Sequence, residues 1–386
     1  MFSNPSPPVP SAANLLPAIL LAGPPHSGKS VLGHLLARRL RALGVQHILL
    51  PAAPDGEGAW FHEVDAELRF MLRRKGQFTD QLAGQMAQAV RARALPMLVD
   101  IGGRPQGRQF EIMDACTHAI QLYREESDRQ AWRAWIEARA LIPIAELQSH
   151  LAGPEMVAAS DGVLRGVISG LDRAQPCPGP LFKLLAERVQ GICSYDYETL
   201  ALQHQLGAPE GAVVVDERHL ARRLGVAWSG QTPWWRPEDL ARLGEALPSG
   251  QPIALYGRGP VWLTAAIAAL NAPAPVWVFD ARHYGWLRPA AVTVGAARAN
   301  AQFSLEVRRA ADHQRLVFQL LPEHHVLTPR PVFVPPVDAR LGVVLDGKMP
   351  KWLWSGLARA LCGHPWLAAY EPRTDQFLRF WGSEAA

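Results

Sequence analysis

The sequence predicts an α/β protein in three parts: a parallel-sheet domain, then two smaller Rossmann-like α/β repeats. Three observations predict it. Short apolar runs alternate with helix-patterned stretches in the first half, a strand–loop–helix–strand pattern occurs twice in the second half, and the composition supports packed cores. The chain has 386 residues, which suggests two or three domains. Hydrophobic residues make up 48% and charged residues 19%, which excludes global disorder. The formal net charge of +4 tolerates an anionic ligand but is far from the polycation that coats double-stranded DNA, so no double-stranded DNA partner is expected. Cys116, Cys177, Cys193 and Cys362 form no CxxC pair and read as buried free thiols of a reducing compartment. No apolar run reaches the ~18–20 residues that span a bilayer, and Met1–Pro17 lacks the basic start and apolar core of a signal peptide. A disordered tail over 1–17, no membrane partner and a cytoplasmic location are the expectations.

The first domain is expected over 18–205. Ala18–Ala22 (AILLA) has the length of a buried strand and ends at Gly-Pro-Pro. Ser30–Leu43 spaces Val31, Leu32, Leu35, Leu36 and Leu40 as one helical face and stops at Gly44. His47–Pro51 is a second strand, helices follow at Val64–Arg74 and Thr79–Ala94, and Pro96–Asp100 (PMLVD) is a third strand closed by Gly102-Gly103. Ala119–Tyr123 reads as a fourth strand, and Asp128–Ala140 as a helix. Strands alternating with helices predict a parallel sheet covered on both faces. Pro176, Pro178 and Pro180 mark a break, Leu181–Val189 a helix, and a mixed segment connects to about residue 225. Ile253–Leu263 (IALYGRGPVWL) and Val343–Leu353 (VVLDGKMPKWL) then share their order of features. Each is followed by an Ala/Leu-rich helix, by Pro275 or Pro365, and by a strand ending FDAR or YEPR. This predicts a duplicated unit, over 206–298 and 299–386.

Gly23-Pro24-Pro25-His26-Ser27-Gly28-Lys29-Ser30 matches GxxxxGK[ST] between a strand and a helix, the P-loop pattern. Its glycines let successive N–H groups face phosphate oxygens, and the helix N-terminus adds its positive dipole end. Lys29 would reach the β- and γ-phosphates and the Ser30 hydroxyl would ligate Mg²⁺; ATP and Mg²⁺ are the expected cofactors. Asp100 ends an apolar strand, where P-loop proteins place the acid that orients magnesium, so Ser30 and Asp100 are the metal candidates. Lys29, Asp100, Asp55 and Glu57 are the catalytic candidates. Asp55 and Glu57 follow the second strand on the ligand side of the sheet; they either position water or a second substrate or form a surface turn.

In the first repeat, Gly257-Arg258-Gly259-Pro260 joins a strand to a helix. Two glycines permit close backbone approach, Pro260 presets the first turn, and Arg258 offers a forked cation. This suits a phosphodiester. Asp280 and Arg282 close the next strand, either facing the same edge or forming a surface pair worth ~0–1 kcal/mol. Trp262, Trp352 and Trp354 either stack on bases or pack in the core, the commoner role for a Trp early in an amphipathic helix.

Residues Gly257–Leu263, Pro275 and Asp280–Arg282 resemble a small ring-nuclease family of type III CRISPR systems, with Ala281 where that family has Pro. The second copy resembles it over more of its length: Phe303–Leu320 as the opening hairpin, Val334–Val344 as the approach to the loop, then Pro365 and Tyr370-Glu371-Pro372-Arg373. The stretches GPPHSGKS, PDGEGAW, LVDIGGRP and CTHAI are similar to an AAA-like P-loop ATPase domain fused to some members. The resemblance implies two α/β repeats of ring-nuclease type that bind cyclic tetra-adenylate. The implied ligand contacts are Gly257, Arg258, Gly259, Asp280, Arg282, Gly347, Lys348, Glu371 and Arg373, with Mn²⁺ as a further cofactor at that site. A homodimer or higher homo-oligomer is also implied, since members present their site across a dimer. Departures stand beside these implications. Where the family has histidines late in the helix, copy one has Ala269, Asn271 and Ala272, and copy two has Arg359 and Cys362, with only His364 next to Pro365. Lys348-Met349 replaces Arg-Gly, and Glu371 replaces Asp. The expectation is a P-loop ATPase fused to a tandem module that binds and degrades cyclic oligoadenylate. The alternatives are a nucleotide or small-molecule kinase and a non-catalytic sensor with nucleotide-dependent assembly.

Overall fold

The computed structural model describes residues 16–51, 80–159, 162–171, 179–281, 285–321, 327, 329–372 and 375–382. The helix expected at 64–74 and the acids Asp55 and Glu57 lie outside them, as do Cys177, Arg282 and Arg373. Contacts divide the chain into Met1–Leu200 and Ala201–Ala386.

The first unit is built on a large, mostly parallel sheet. Its strands are β1 (Ala18–Ala22), β2 (Ile48–Pro51), β3 (Met97–Asp100), β4 (His118–Tyr123), β5 (Ile142–His150), β6 (Met156–Ala159) and β7 (Leu164–Ser169). The order is β2-β3-β1-β4-β5-β7-β6, and among the described residues only β6 runs antiparallel to its neighbour. Central position makes β1 buried along its whole length, as an unalternated apolar run requires. Helix α1 (Lys29–Ala42) turns Leu32, Leu36 and Leu40 inward on one stripe. They meet Leu181, Leu185 and Val189 of α4 (Pro180–Cys193) in one core. Helices α2 (Asp80–Arg91) and α3 (Glu126–Ala138) also belong to the unit. Leu16 and Pro17, expected in the tail, are packed instead: the Leu16 carbonyl accepts from Arg93 Nε and the Pro17 carbonyl from Met97 N.

Strands β5 to β7 carry no clean apolar pattern. Glu146 of β5 is buried because Arg129 and Arg165 pair with it at 3.2 and 3.3 Å, so a charged residue occupies an interior position. At Gly166 of β7 a Cβ would lie 2.0 Å from the Met156 carbonyl oxygen, so only glycine permits the β6–β7 approach.

The second unit contains the duplicated pattern. After α5 (Tyr197–Leu206), β8 (Val213–Asp216) and α6 (Glu217–Leu224), the first sheet gains β9 (Ile253–Tyr256), β10 (Val276–Asp280) and β11 (Gly285–Leu287). Its order is β11-β10-β9-β8; β8, β9 and β10 are parallel and β11 is antiparallel. A small parallel pair of β12 (Val292–Val294) and β15 (Val332–Val334) follows. The second sheet consists of β13 (Phe303–Arg309), β14 (His313–Leu320), β16 (Gly342–Asp346), β17 (Trp366–Glu371) and β18 (Gln376–Gly382). Here β14, β16 and β17 are parallel and β18 returns antiparallel. The directions of β8-β9-β10-β11 are therefore repeated by β14-β16-β17-β18, with β13 added at the edge.

Helices α7 (Val261–Leu270) and α8 (Lys351–Leu361) pack together between these sheets, and Leu263, Ile267, Leu353, Leu357 and Leu361 belong to one core. Arg359 of α8 donates to the carbonyls of Ala268 and Pro273 at 3.0 and 3.1 Å, closing the C-terminal end of α7. Trp262, Trp352 and Trp354 are all buried in this core, so packing, not base stacking, is their observed role.

Candidate functional site

In the first unit, parallel pairing of β1 with β3 sets Leu21 level with Asp100. The loop leaving β1 and the acid ending β3 thus meet at one carboxyl edge. Gly23 takes φ +144°, and a Cβ there would stand 2.2 Å from the Leu122 carbonyl oxygen, so the turn out of the sheet demands glycine. His26 holds φ +59° without being glycine, a strained conformation of the kind found in ligand loops. Gly28 precedes α1, and no side-chain oxygen caps that helix. Its first-turn amides are therefore of the kind that meet phosphate oxygens.

Lys29 is buried, but within the loop rather than in the apolar core: Nζ donates to the Pro24 carbonyl at 2.6 Å, and Ser27 Oγ donates to the same oxygen at 2.9 Å. Ser30 Oγ donates to Asp100 Oδ2 at 2.5 Å, and Gly102 N–H to Asp100 Oδ1 at 3.1 Å. Gly23, Pro24, Pro25, His26, Ser27, Gly28, Lys29, Ser30 and Asp100 are thus one cluster. A hydroxyl and a carboxylate oxygen side by side are hard donors suited to Mg²⁺ together with phosphate oxygens.

In the second unit the two loops share a backbone. Gly257 and Gly347 take φ +142° and +127°. Pro260 and Pro350, at φ −62° and −69° with ψ 151° and 156°, open α7 and α8. The carboxyl ends of β8, β9 and β10 place Asp216, the Gly257–Gly259 loop and Asp280 at one edge, with Asp216 level with Tyr256. Arg258 and Lys348 are exposed on their loops, and Asp280 and Glu371 are half-buried at strand ends.

The side chains around the loops differ, and sequence reasoning missed the decisive ones. In the first repeat Glu217 accepts from the Gly259 N–H and from Lys351 Nζ, the latter at 2.8 Å. In the second, Arg315 pairs with Asp346 at 2.9 Å, its guanidinium 3.6 Å from the Tyr370 ring centroid. The run Val213-Val214-Val215 before Asp216 was a strand signal that would have led to Glu217. Asp216 caps α6 by accepting from the amides of Arg218 and His219.

Where the resembled family has histidines late in the helix, the side chains of the second repeat are engaged elsewhere. Arg359 is committed to α7, and Cys362 Sγ donates to the Arg359 carbonyl. Among the described residues no group of three His, Cys, Asp or Glu side chains is placed to hold a metal. Burial pushes the thiols of Cys116 and Cys193 up to about 12, which makes them inert packing residues. No helix of the described residues is long and apolar enough to cross a membrane.

Residues 323–378 match the family model described as CRISPR-associated protein (Cas_csx3). This match supports a CRISPR-associated protein. It covers β15, β16, the second loop, α8, β17 and the start of β18, and it reaches neither the first repeat nor the first unit. No curated protein matches the chain.

Proposed function

We propose that the chain is a P-loop ATPase fused to a tandem module that binds cyclic oligoadenylate in CRISPR-based antiviral defence. The observation that carries the ATPase half is the Ser30–Asp100 pair at 2.5 Å beneath a glycine-rich loop that encloses Lys29. Ser30 and Asp100 would hold Mg²⁺, which supplies charge neutralisation at the β- and γ-phosphate oxygens. Lys29 would turn from the Pro24 carbonyl to those oxygens while the loop amides hold the β-phosphate. Asp100→Asn is expected to lower phosphate release from ATP by roughly 10²–10³-fold, the usual effect of removing one charge-stabilising group; a colorimetric phosphate assay reads it.

For the second unit, the Cas_csx3 match and the duplicated loop support the ring-ligand reading. Arg258 and Lys348 would contact phosphates, with Asp280 and Glu371 at the neighbouring strand ends. Cleavage in this reading is attack of a ribose 2′-oxygen on the adjacent phosphorus. The P–O2′ bond forms, the P–O5′ bond breaks, and the 2′-hydroxyl proton leaves with O5′. Orientation and charge stabilisation are the means the chain offers. A second reading, binding without cleavage, is favoured by Glu217 inside the first loop and by Arg359 at a family histidine position. Incubation with cyclic tetra-adenylate followed by chromatography separates the two: linear products support cleavage, and retention of intact ring supports a sensor. Absence of both at micromolar protein contradicts the ligand assignment.

A further inference from the structure

The carboxylate of Glu217 is enclosed in the first loop of the second unit, with its side chain only 4% exposed. Three donors from two repeats surround it. Gly259 N–H donates to Oε2, and Thr264 Oγ1 and Lys351 Nζ donate to Oε1 at 3.3 and 2.8 Å. Lys351 Nζ also donates to the Gly257 carbonyl at 3.0 Å, so the start of α8 in one repeat is tied to the loop of the other. Both loop glycines are shaped around this side chain. A Cβ at Gly257 would stand 2.6 Å from Glu217 Cβ, and one at Gly259 would stand 2.5 Å from Glu217 Oε2.

The second repeat handles the same position differently. A Cβ at Gly347, the counterpart of Gly257, would meet the Phe318 carbonyl oxygen and Cβ, so Phe318 stands where Glu217 does. The counterpart of Gly259 is Met349, buried in the apolar core. One loop holds an anion among donors, and the other is filled with hydrocarbon.

A main-chain amide, a hydroxyl and an ammonium converging on one pair of oxygens also make up the donor set that recognises phosphate. We infer that Gly259 N–H, Thr264 Oγ1 and Lys351 Nζ form an anion cage fitted to a phosphate group, and that Glu217 occupies it as an internal surrogate. The inner side of the first loop is then closed to phosphate while this carboxylate stays in place, and the exposed Arg258 is left as that loop's outward cation. The cage follows from the donors alone; only the identity of its phosphate as part of a cyclic oligoadenylate rests on the functional reading above. Removing the side chain frees both the space and the charge of Lys351. A glutamine removes the charge but keeps the space filled.

The test uses the full chain carrying Lys29→Ala, so that the loop of the first unit contributes no phosphate binding. Inorganic phosphate and cyclic tetra-adenylate are each titrated in a calorimeter. Adding Glu217→Ala is expected to tighten phosphate binding at least tenfold, Glu217→Gln to leave it unchanged, and Lys351→Met on top of Glu217→Ala to abolish the gain. Glu217→Ser supplies a second opened variant that keeps a polar group at the start of α6. A folded Glu217→Ala or Glu217→Ser protein, checked by circular dichroism, that binds phosphate no tighter than its parent overturns the inference. A gain for phosphate without one for cyclic tetra-adenylate supports the cage and shows that its phosphate is not part of that ring, whereas no ring binding in parent or variants sinks the ring-ligand reading instead.

Discussion

Lys29→Ala is expected to weaken ATP binding by roughly 10- to 150-fold, the equivalent of the ~1.5–3 kcal/mol carried by a hydrogen bond to a charged group. The ammonium is held inside the loop by the Pro24 carbonyl at 2.6 Å, so it is already beside the positions where β- and γ-phosphate oxygens would lie. Turnover should fall further, by roughly 10²–10³-fold, because charge on those oxygens grows as the bond breaks. Binding of cyclic tetra-adenylate should survive, since the Gly257 and Gly347 loops belong to the other compact unit. Fluorescence titration with a labelled ATP analogue and a phosphate-release assay read the two losses. An unchanged affinity contradicts the proposed nucleotide site at Lys29.

Trp352→Ala is expected to destabilise the second unit by ~3–5 kcal/mol, the usual cost of deleting a buried Trp from a core. Its side chain is 1% exposed in the first turn of α8, where the two repeats share one core. For a unit of this size the cost corresponds to a drop in Tm of roughly 6–20 °C, measurable by differential scanning calorimetry. The rival role, stacking on a ligand base, predicts the reverse pattern: a nearly unchanged Tm and weakened binding of the ring ligand.

What was legible in the sequence was what local pattern controls. Ala18–Ala22, the loop to Ser30 and the stripe Leu32-Leu36-Leu40 lie where the apolar spacing and the glycines place them. The acid at the end of β3 could be found because a short apolar run ended on it. The repeated loops were visible because glycine at positive φ and proline at the helix start are both sequence-specific demands. Strands β5 to β7 were not legible, since the burial of Glu146 depends on Arg129 and Arg165, which are distant in sequence. The Glu217 cage was hidden for the same reason: Gly259 is 42 residues from Glu217 and Lys351 is 134 residues away. Glycines that suggested room for a ligand's phosphate instead make room for the chain's own carboxylate. The packing of three tryptophans into one core likewise follows from the meeting of α7 and α8, which periodicity within either helix does not specify.

Calorimetric titration of the unmodified chain with a slowly hydrolysed ATP analogue, with and without Mg²⁺, tests the proposed nucleotide site most directly. One molecule bound per chain, at least tenfold tighter when magnesium is present, is the result that a loop amide cradle with Ser30 and Asp100 at its edge predicts. Failure to bind at millimolar nucleotide, or binding indifferent to magnesium, would contradict it.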